Sequence, residues 1–259
     1  MLWRAVLLKL IRKIKTAGML QQVAQYPRIP SRGDAVTRSG CRKLSSEAQQ
    51  RMNVKYSWQN LMWRIAANFS PGDLVVTLTY DDEHLPDSRK RAKADLKRFR
   101  GNMSQSRKKK GEVFKAVYCT EHLHPSSHNG ENGRWHHHLV INRTKNDYAE
   151  ILAAWPYGVN IEIHPFELND KRSYESIAKY MAKERADTVN SHVWGCTRNC
   201  QKPDEESFLV DVGEVIRVPD GAMYVRQESR QTEFGRYDIA SWICSDPKKM
   251  MKPRRRRKK

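Results

Sequence analysis

The stretch Trp135-His136-His137-His138-Leu139-Val140-Ile141 (WHHHLVI) fixes the reading of this chain. Its apolar, β-branched end reads as a strand, which the spacing extends over Trp135–Asn142. Strand side chains alternate between faces, so His136 and His138 project together while His137 joins Trp135 and Leu139 on the other side. Two imidazoles two residues apart on one face can bind a single divalent ion. A lone histidine pair is more often a core or surface feature, but three consecutive histidines in an otherwise apolar strand call for a role. A catalytic metal also needs further ligands and an open position. Glu121 ends the preceding strand, Val113–Glu121, and Pro125–Gly133 reads as the hairpin connection. That hairpin brings Glu121 to the histidine pair. A carboxylate beside two imidazoles suits Mg²⁺ or Mn²⁺ better than a purely nitrogen site. Six of the nine histidines fall between His122 and His138. His122, His124 and His128 read as loop residues rather than as ligands of the metal.

Working outward, Leu74-Val75-Val76-Thr77-Leu78-Thr79-Tyr80 reads as a buried central strand. Helical spacing covers Gln49–Asn68, Ala92–Ser106, Asp147–Trp155 and Ser173–Arg185, with Ser173 as the cap of the last. Val159–Ile163 alternates as a strand, and strand-like pieces recur at Phe208–Val212, Glu214–Val218 and Met223–Arg226. This order predicts an α+β domain, an antiparallel central sheet with helices packed on one face. The expected organisation is a basic N-terminal helix and arm over 1–69, a catalytic domain over 70–246 and a disordered basic tail over 247–259.

The helix over 173–185 carries a second chemical element. Tyr180 and Lys183 are three residues apart and share a helix face. A phenol with a pKa near 10 is a poor nucleophile, and a nearby cation or metal favours its phenolate. Tyr-x-x-Lys alone is a weak signal. Tyr174, six residues earlier, occupies another part of the helix surface and reads as structural.

The formal net charge is +19. Residues 1–64 hold 13 Lys/Arg against 2 Asp/Glu, and 248–259 hold 9 Lys/Arg and no acid, which leaves 65–247 at −1. Within that middle part, 89–110 packs 11 basic residues against Asp95 alone. Such a distribution suits a polyanionic partner, because each neutralised phosphate releases counterions. Five cysteines are an odd number for a disulfide framework. Cys196 and Cys200 could enter a zinc site, but a second ligand pair at zinc-finger spacing is missing, which favours buried or idle thiols. Leu2, Trp3, Val6, Leu7, Leu10, Ile11 and Ile14 recur at helical spacing among basic residues, the pattern of a basic amphipathic helix too short and too interrupted to span a membrane.

Together these segments resemble the HUH endonuclease superfamily, and most closely its bacterial phage and plasmid replication initiators, such as the filamentous-phage gene II replication proteins. LVVTLTY resembles the first conserved strand of that superfamily, WHHHLVI its histidine–hydrophobic–histidine motif and Ile177–Lys183 (IAKYMAK) its tyrosine motif. Trp194–Pro203 resembles a segment that follows the tyrosine helix. The resemblance implies an RRM-like, Rep-type α+β fold, with His136, His138 and Glu121 as ligands of Mg²⁺ or Mn²⁺. It implies Tyr180 as the nucleophile and Lys183 as the residue that positions or neutralises the phosphate. The implied reaction nicks single-stranded or replication-origin DNA, leaves a 5′-phosphotyrosine and a free 3′-OH, and can rejoin the strand. This chemistry needs no ATP. With no phosphate-binding glycine loop in the sequence, unwinding falls to a host helicase and synthesis to a host polymerase, in the bacterial cytoplasm. His137 departs from the pattern by standing where an aliphatic residue is usual. A transposase or mobilisation relaxase would use the same parts. A non-enzymatic nucleic-acid-binding protein with structural zinc is the alternative of another class.

Overall fold

The computed structural model describes residues 9–28, 47–125, 133–169, 173–183, 193–232 and 235–251. In chain order the elements are β1 (Lys9–Ala17), β2 (Leu20–Pro27), α1 (Glu47–Ala66), β3 (Leu74–Thr79), α2 (Arg89–Lys109), β4 (Ala116–Leu123), β5 (Arg134–Ile141), α3 (Asp147–Ala154), β6 (Ile161–Pro165), α4 (Tyr174–Met181), β7 (Trp194–Cys196), β8 (Asp204–Asp211), β9 (Met223–Thr232) and β10 (Gly235–Ile243). They build two antiparallel five-stranded sheets, β6-β3-β5-β4-β7 and β8-β1-β2-β10-β9. The fold is α+β, as the order of elements predicts.

The chain divides into two units, 44–201 and 1–43 joined with 202–259. This differs from the expected divisions at 69/70 and 246/247. In the larger unit β5 is the middle strand, flanked by β3 and β4. Leu74, Val76 and Leu78 of β3 stand beside Ile141, Leu139 and His137 of β5 on one face. That face is closed by Leu96, Phe99 and Met103, spaced as one stripe of α2, and by Ile151, Ala154 and Trp155 at α3. Ser88 caps α2 by accepting from the Arg91 amide. The expected packing of helices on one face describes α2 and α3. From α4, however, Tyr180 reaches His138 on the opposite face, Lys183 just past the end of the helix reaches Glu121 there, and α1 packs along α4. The apolar run of β5 is the reason: Leu139, Val140 and Ile141 are all fully buried, so both faces of the strand need cover.

The second unit corrects the reading of the N-terminus. Residues 9–17 form a strand rather than part of a helix over 2–14, and residues 1–8 lie outside the described residues. Leu10 and Ile14 satisfy period two as well as period 3.6, and the pairing of β1 with β2 and β8 decides between them. Gly18, at φ 51°, provides the left-handed turn of the β1–β2 hairpin. Arg12 is buried, donating to Gln25 Oε1 at 2.8 and 3.0 Å and pairing with Glu214 at 3.2 Å. The arm expected within 1–69 contains β2 and α1; 29–46 lie outside the described residues. Glu214–Val218 is not a strand. The carbonyls of Glu214 and Val215 accept from Gln25 and Arg12 side chains instead of a ladder. Of the expected disordered tail, Met250 is buried and Met251 exchanges two hydrogen bonds with Gln21, while 252–259 lie outside the described residues.

The basic segment 89–110 is partly structural. Arg107 is fully buried, donating to Asn142 O and Oδ1, to Asp147 Oδ1 at 2.8 Å and to Glu150 Oε2 at 3.4 Å. It joins the end of α2 to the start of α3 and is not available to DNA, contrary to the expectation for the whole segment. Lys110 is paired with Glu150. Removing one partner of a buried ionic network strands the others, so Arg107→Ala is expected to lower stability by about 3–5 kcal/mol in urea unfolding. A loss below about 1 kcal/mol, the worth of an exposed pair, would contradict this role.

Candidate active site

Antiparallel register brings the candidate residues together. In β5, His138 stands opposite Thr77 of β3 and Cys119 of β4, and His136 stands opposite Thr79 and Glu121. His136, His138 and Glu121 therefore share one face at one end of the central strands. His138 Nε2 lies 2.7 Å from Glu121 Oε2, and its Nδ1 lies 3.3 Å from Thr77 Oγ1. Both His138 and Glu121 are buried.

Helix α4 lowers the second element onto this face. Ser173 and Ser176 form a reciprocal capping box that fixes its start. One turn further on, the Tyr180 hydroxyl lies 3.3 Å from His138 Nε2, with the two rings edge to face at 4.8 Å. Tyr180 remains 48% exposed. Lys183 donates to Glu121 Oε1 at 2.6 Å and holds its ammonium 4.2 Å from the Tyr180 ring centroid. Tyr174, by contrast, is buried, with its hydroxyl 3.3 Å from the Phe69 carbonyl, and burial pushes its phenol up to about 12.

The electrostatics follow from these contacts. Burial alone would raise the Glu121 carboxyl, but hydrogen bonds from His138 and Lys183 and their charges outweigh it and hold it at about 2. Burial raises the Tyr180 phenol, and the Lys183 charge opposes that rise. Lys183 loses solvation, yet its bond to Glu121 wins and raises its ammonium. Burial lowers His136, and the His138 and Arg134 charges act in the same direction against Glu121 and Glu162. A neutral imidazole is the form that binds a metal.

Two imidazoles and a carboxylate on one face suit a divalent ion in donor type. Among the described residues, no three His, Cys, Asp or Glu side chains already close around one point. Here His138 Nε2 and Glu121 Oε2 are bonded to each other, so a bound ion would take the place of that bond.

His137 belongs to the other face. It is fully buried, with Nε2 2.9 Å from the Tyr80 hydroxyl and Nδ1 3.0 Å from Thr120 Oγ1, and it meets Trp155 edge to face. It fills the place of an aliphatic residue because two hydroxyls satisfy its nitrogens. Sequence reading missed Thr77, Glu162, Tyr80 and Thr120. Alternation alone puts Thr77 and Thr79 on one face of β3, but only the register shows which histidine they meet. His122 lies in β4, opposite Trp135 of β5, rather than in the expected loop, and packs on Trp135 at 4.2 Å; His128 lies outside the described residues. Cys200 is buried, its thiol 3.6 Å from the Ala116 carbonyl.

Residues 73–185 match the sequence model of a family of replication-associated proteins, described by its ORF2 and gene II protein members. The match covers less than half of the chain, contains every candidate site residue and supports a replication-initiator family. No curated protein and no solved structure matches the chain. Among the described residues, no helix is long and apolar enough to cross a membrane.

The His137 imidazole is held at about 3 by burial, reinforced by the His138 and His136 charges. An unfolded histidine titrates near 6.5. Below that pH the unfolded chain binds a proton that the native chain refuses, so stability falls as pH drops from 6.5 towards 3. Urea unfolding in chelator is expected to show about 2 kcal/mol lost from this group between pH 7.5 and pH 5. That slope should flatten in His137→Gln; an unchanged slope would contradict the assignment.

Proposed function

We propose that the larger unit is an HUH-type endonuclease that nicks one DNA strand with Tyr180 and initiates rolling-circle replication of a phage or plasmid. The observation that carries this reading is the position of the Tyr180 hydroxyl, 3.3 Å from His138 Nε2 on the same face as His136, Glu121 and Lys183. A nucleophile beside a histidine–carboxylate donor set suits phosphoryl transfer by a side chain. The family match supports the replicative role.

Tyr180 Oη attacks the scissile phosphorus in line with the leaving 3′-oxygen. The Oη–P bond forms and the P–O3′ bond breaks; the phenol loses its proton and the departing oxygen gains one as a 3′-OH. The product is a 5′-phosphotyrosine, whose retained ester energy allows the reverse reaction to rejoin a strand without ATP. The free 3′-OH primes synthesis by a host polymerase, with a host helicase opening the duplex. His136, His138 and Glu121 would hold Mg²⁺ or Mn²⁺, which supplies Lewis-acid polarisation of the phosphate. Lys183, beside the Tyr180 ring, favours the phenolate by its charge and would neutralise a phosphate oxygen. Exposed cations of α2, such as Lys93, Lys97, Lys108 and Lys109, supply salt-sensitive backbone contacts.

The test combines purified protein, Mn²⁺ and a diverse pool of single-stranded oligonucleotides. A denaturing gel is expected to show a covalent protein–DNA band that requires the metal and is lost in Tyr180→Phe. Lys183→Gln should slow its formation by roughly 10²-fold, the scale of one lost charge-stabilising donor. A band that persists in Tyr180→Phe would move the nucleophile elsewhere, and DNA binding without any band would favour a non-enzymatic role.

A further inference from the structure

We infer that Thr77 is a positioning residue for His138, its hydroxyl serving as partner to Nδ1 in both tautomers that the imidazole needs. Thr77 stands directly opposite His138 across the β3–β5 ladder, and its Oγ1 lies 3.3 Å from Nδ1. The other ring nitrogen, Nε2, faces the Glu121 carboxylate at 2.7 Å. An ionised carboxylate only accepts, so Nε2 carries the hydrogen of the neutral ring. Nδ1 then offers a lone pair, and the Thr77 hydroxyl donates to it. When Nε2 gives its lone pair to a divalent ion instead, the ring hydrogen resides on Nδ1, and Thr77 Oγ1 accepts from it.

A hydroxyl performs both roles because it rotates and is donor and acceptor at once. The strand itself does not require it. Valine has nearly the same shape and an equally strong preference for a β-strand. Thr79, on the same face, is committed differently: its hydroxyl donates to the Asn160 carbonyl. Of the two threonines on this face of β3, it is Thr77 whose hydroxyl meets the imidazole. A partner on the far nitrogen fixes ring orientation and raises ligand basicity, as is general for metal-bound histidines.

This inference rests on the metal-binding reading of the site. The test titrates Mn²⁺ alone into the full chain by calorimetry, for the wild type, Thr77→Val and Thr77→Ser. Circular dichroism and urea midpoints of the metal-free proteins establish that each is folded. Thr77→Val is expected to weaken Mn²⁺ binding by about 10–100-fold, while Thr77→Ser binds as the wild type does. Ring ¹H–¹⁵N spectra of the metal-free protein should show the Nε2–H tautomer of His138 in both proteins, with an Nδ1 shift typical of a hydrogen-bonded lone pair in the wild type and of an unbonded one in Thr77→Val. Thr77→Val binding Mn²⁺ as tightly as the wild type would overturn the inference, as would Thr77→Ser binding as poorly as Thr77→Val. A wild type that binds no Mn²⁺ would overturn the metal reading itself, and this inference with it.

Discussion

The register of β5 between β3 and β4 is the constraint on which the site depends. A strand in the middle of a sheet, covered on both faces, has two environments that alternate residue by residue. His137 is fully enclosed against Trp155 between the Tyr80 and Thr120 hydroxyls, and its neighbours on either side face Glu121 and Tyr180. A slip of one residue would put His136 and His138 into the apolar layer and His137 alone at the site. Leu139 and Ile141 packing with Leu74 and Val76 opposes that slip, because it would expose them to the polar face.

The site is a closed set of charge-assisted contacts around one carboxylate. Glu121 accepts from Lys183 at one oxygen and faces His138 at the other, so it stays ionised despite its burial. The same Lys183 lies beside the Tyr180 ring. Carboxylate, imidazole, ammonium and phenol are thus mutually dependent, and a change to any one alters the protonation preference of the others. Placing them needs elements from distant parts of the chain: two strands of one hairpin and a helix some forty residues later.

Several of these features are legible in the chain. Alternation in WHHHLVI separates His137 from His136 and His138, and the Tyr180–Lys183 spacing brings both to one site, although α4 ends at Met181 and Lys183 lies past its cap rather than within a helix over 173–185. The extents of α1, α2, α3 and β5 lie within a few residues of those expected. The N-terminal segment differs because Leu10 and Ile14 fit a helix and a strand equally, and β8 and β10 of the same sheet lie some two hundred residues away. Arg107 reads as one more surface cation, since nothing local reveals that Asp147 and Glu150 enclose it.

What the sequence determined by itself is what depends on local geometry: the period of each element, the face each side chain takes, and the chemical types gathered near the histidines. Only the tertiary structure decided which faces meet. Strand pairing set Thr77 against His138 and Glu121 against His136, and helix packing set Lys183 on Glu121. It also joined 1–43 with 202–259 into one unit. The physical reason is that a side chain's direction follows from its own backbone, whereas its partner is chosen by burial and hydrogen bonding summed over segments remote in the chain.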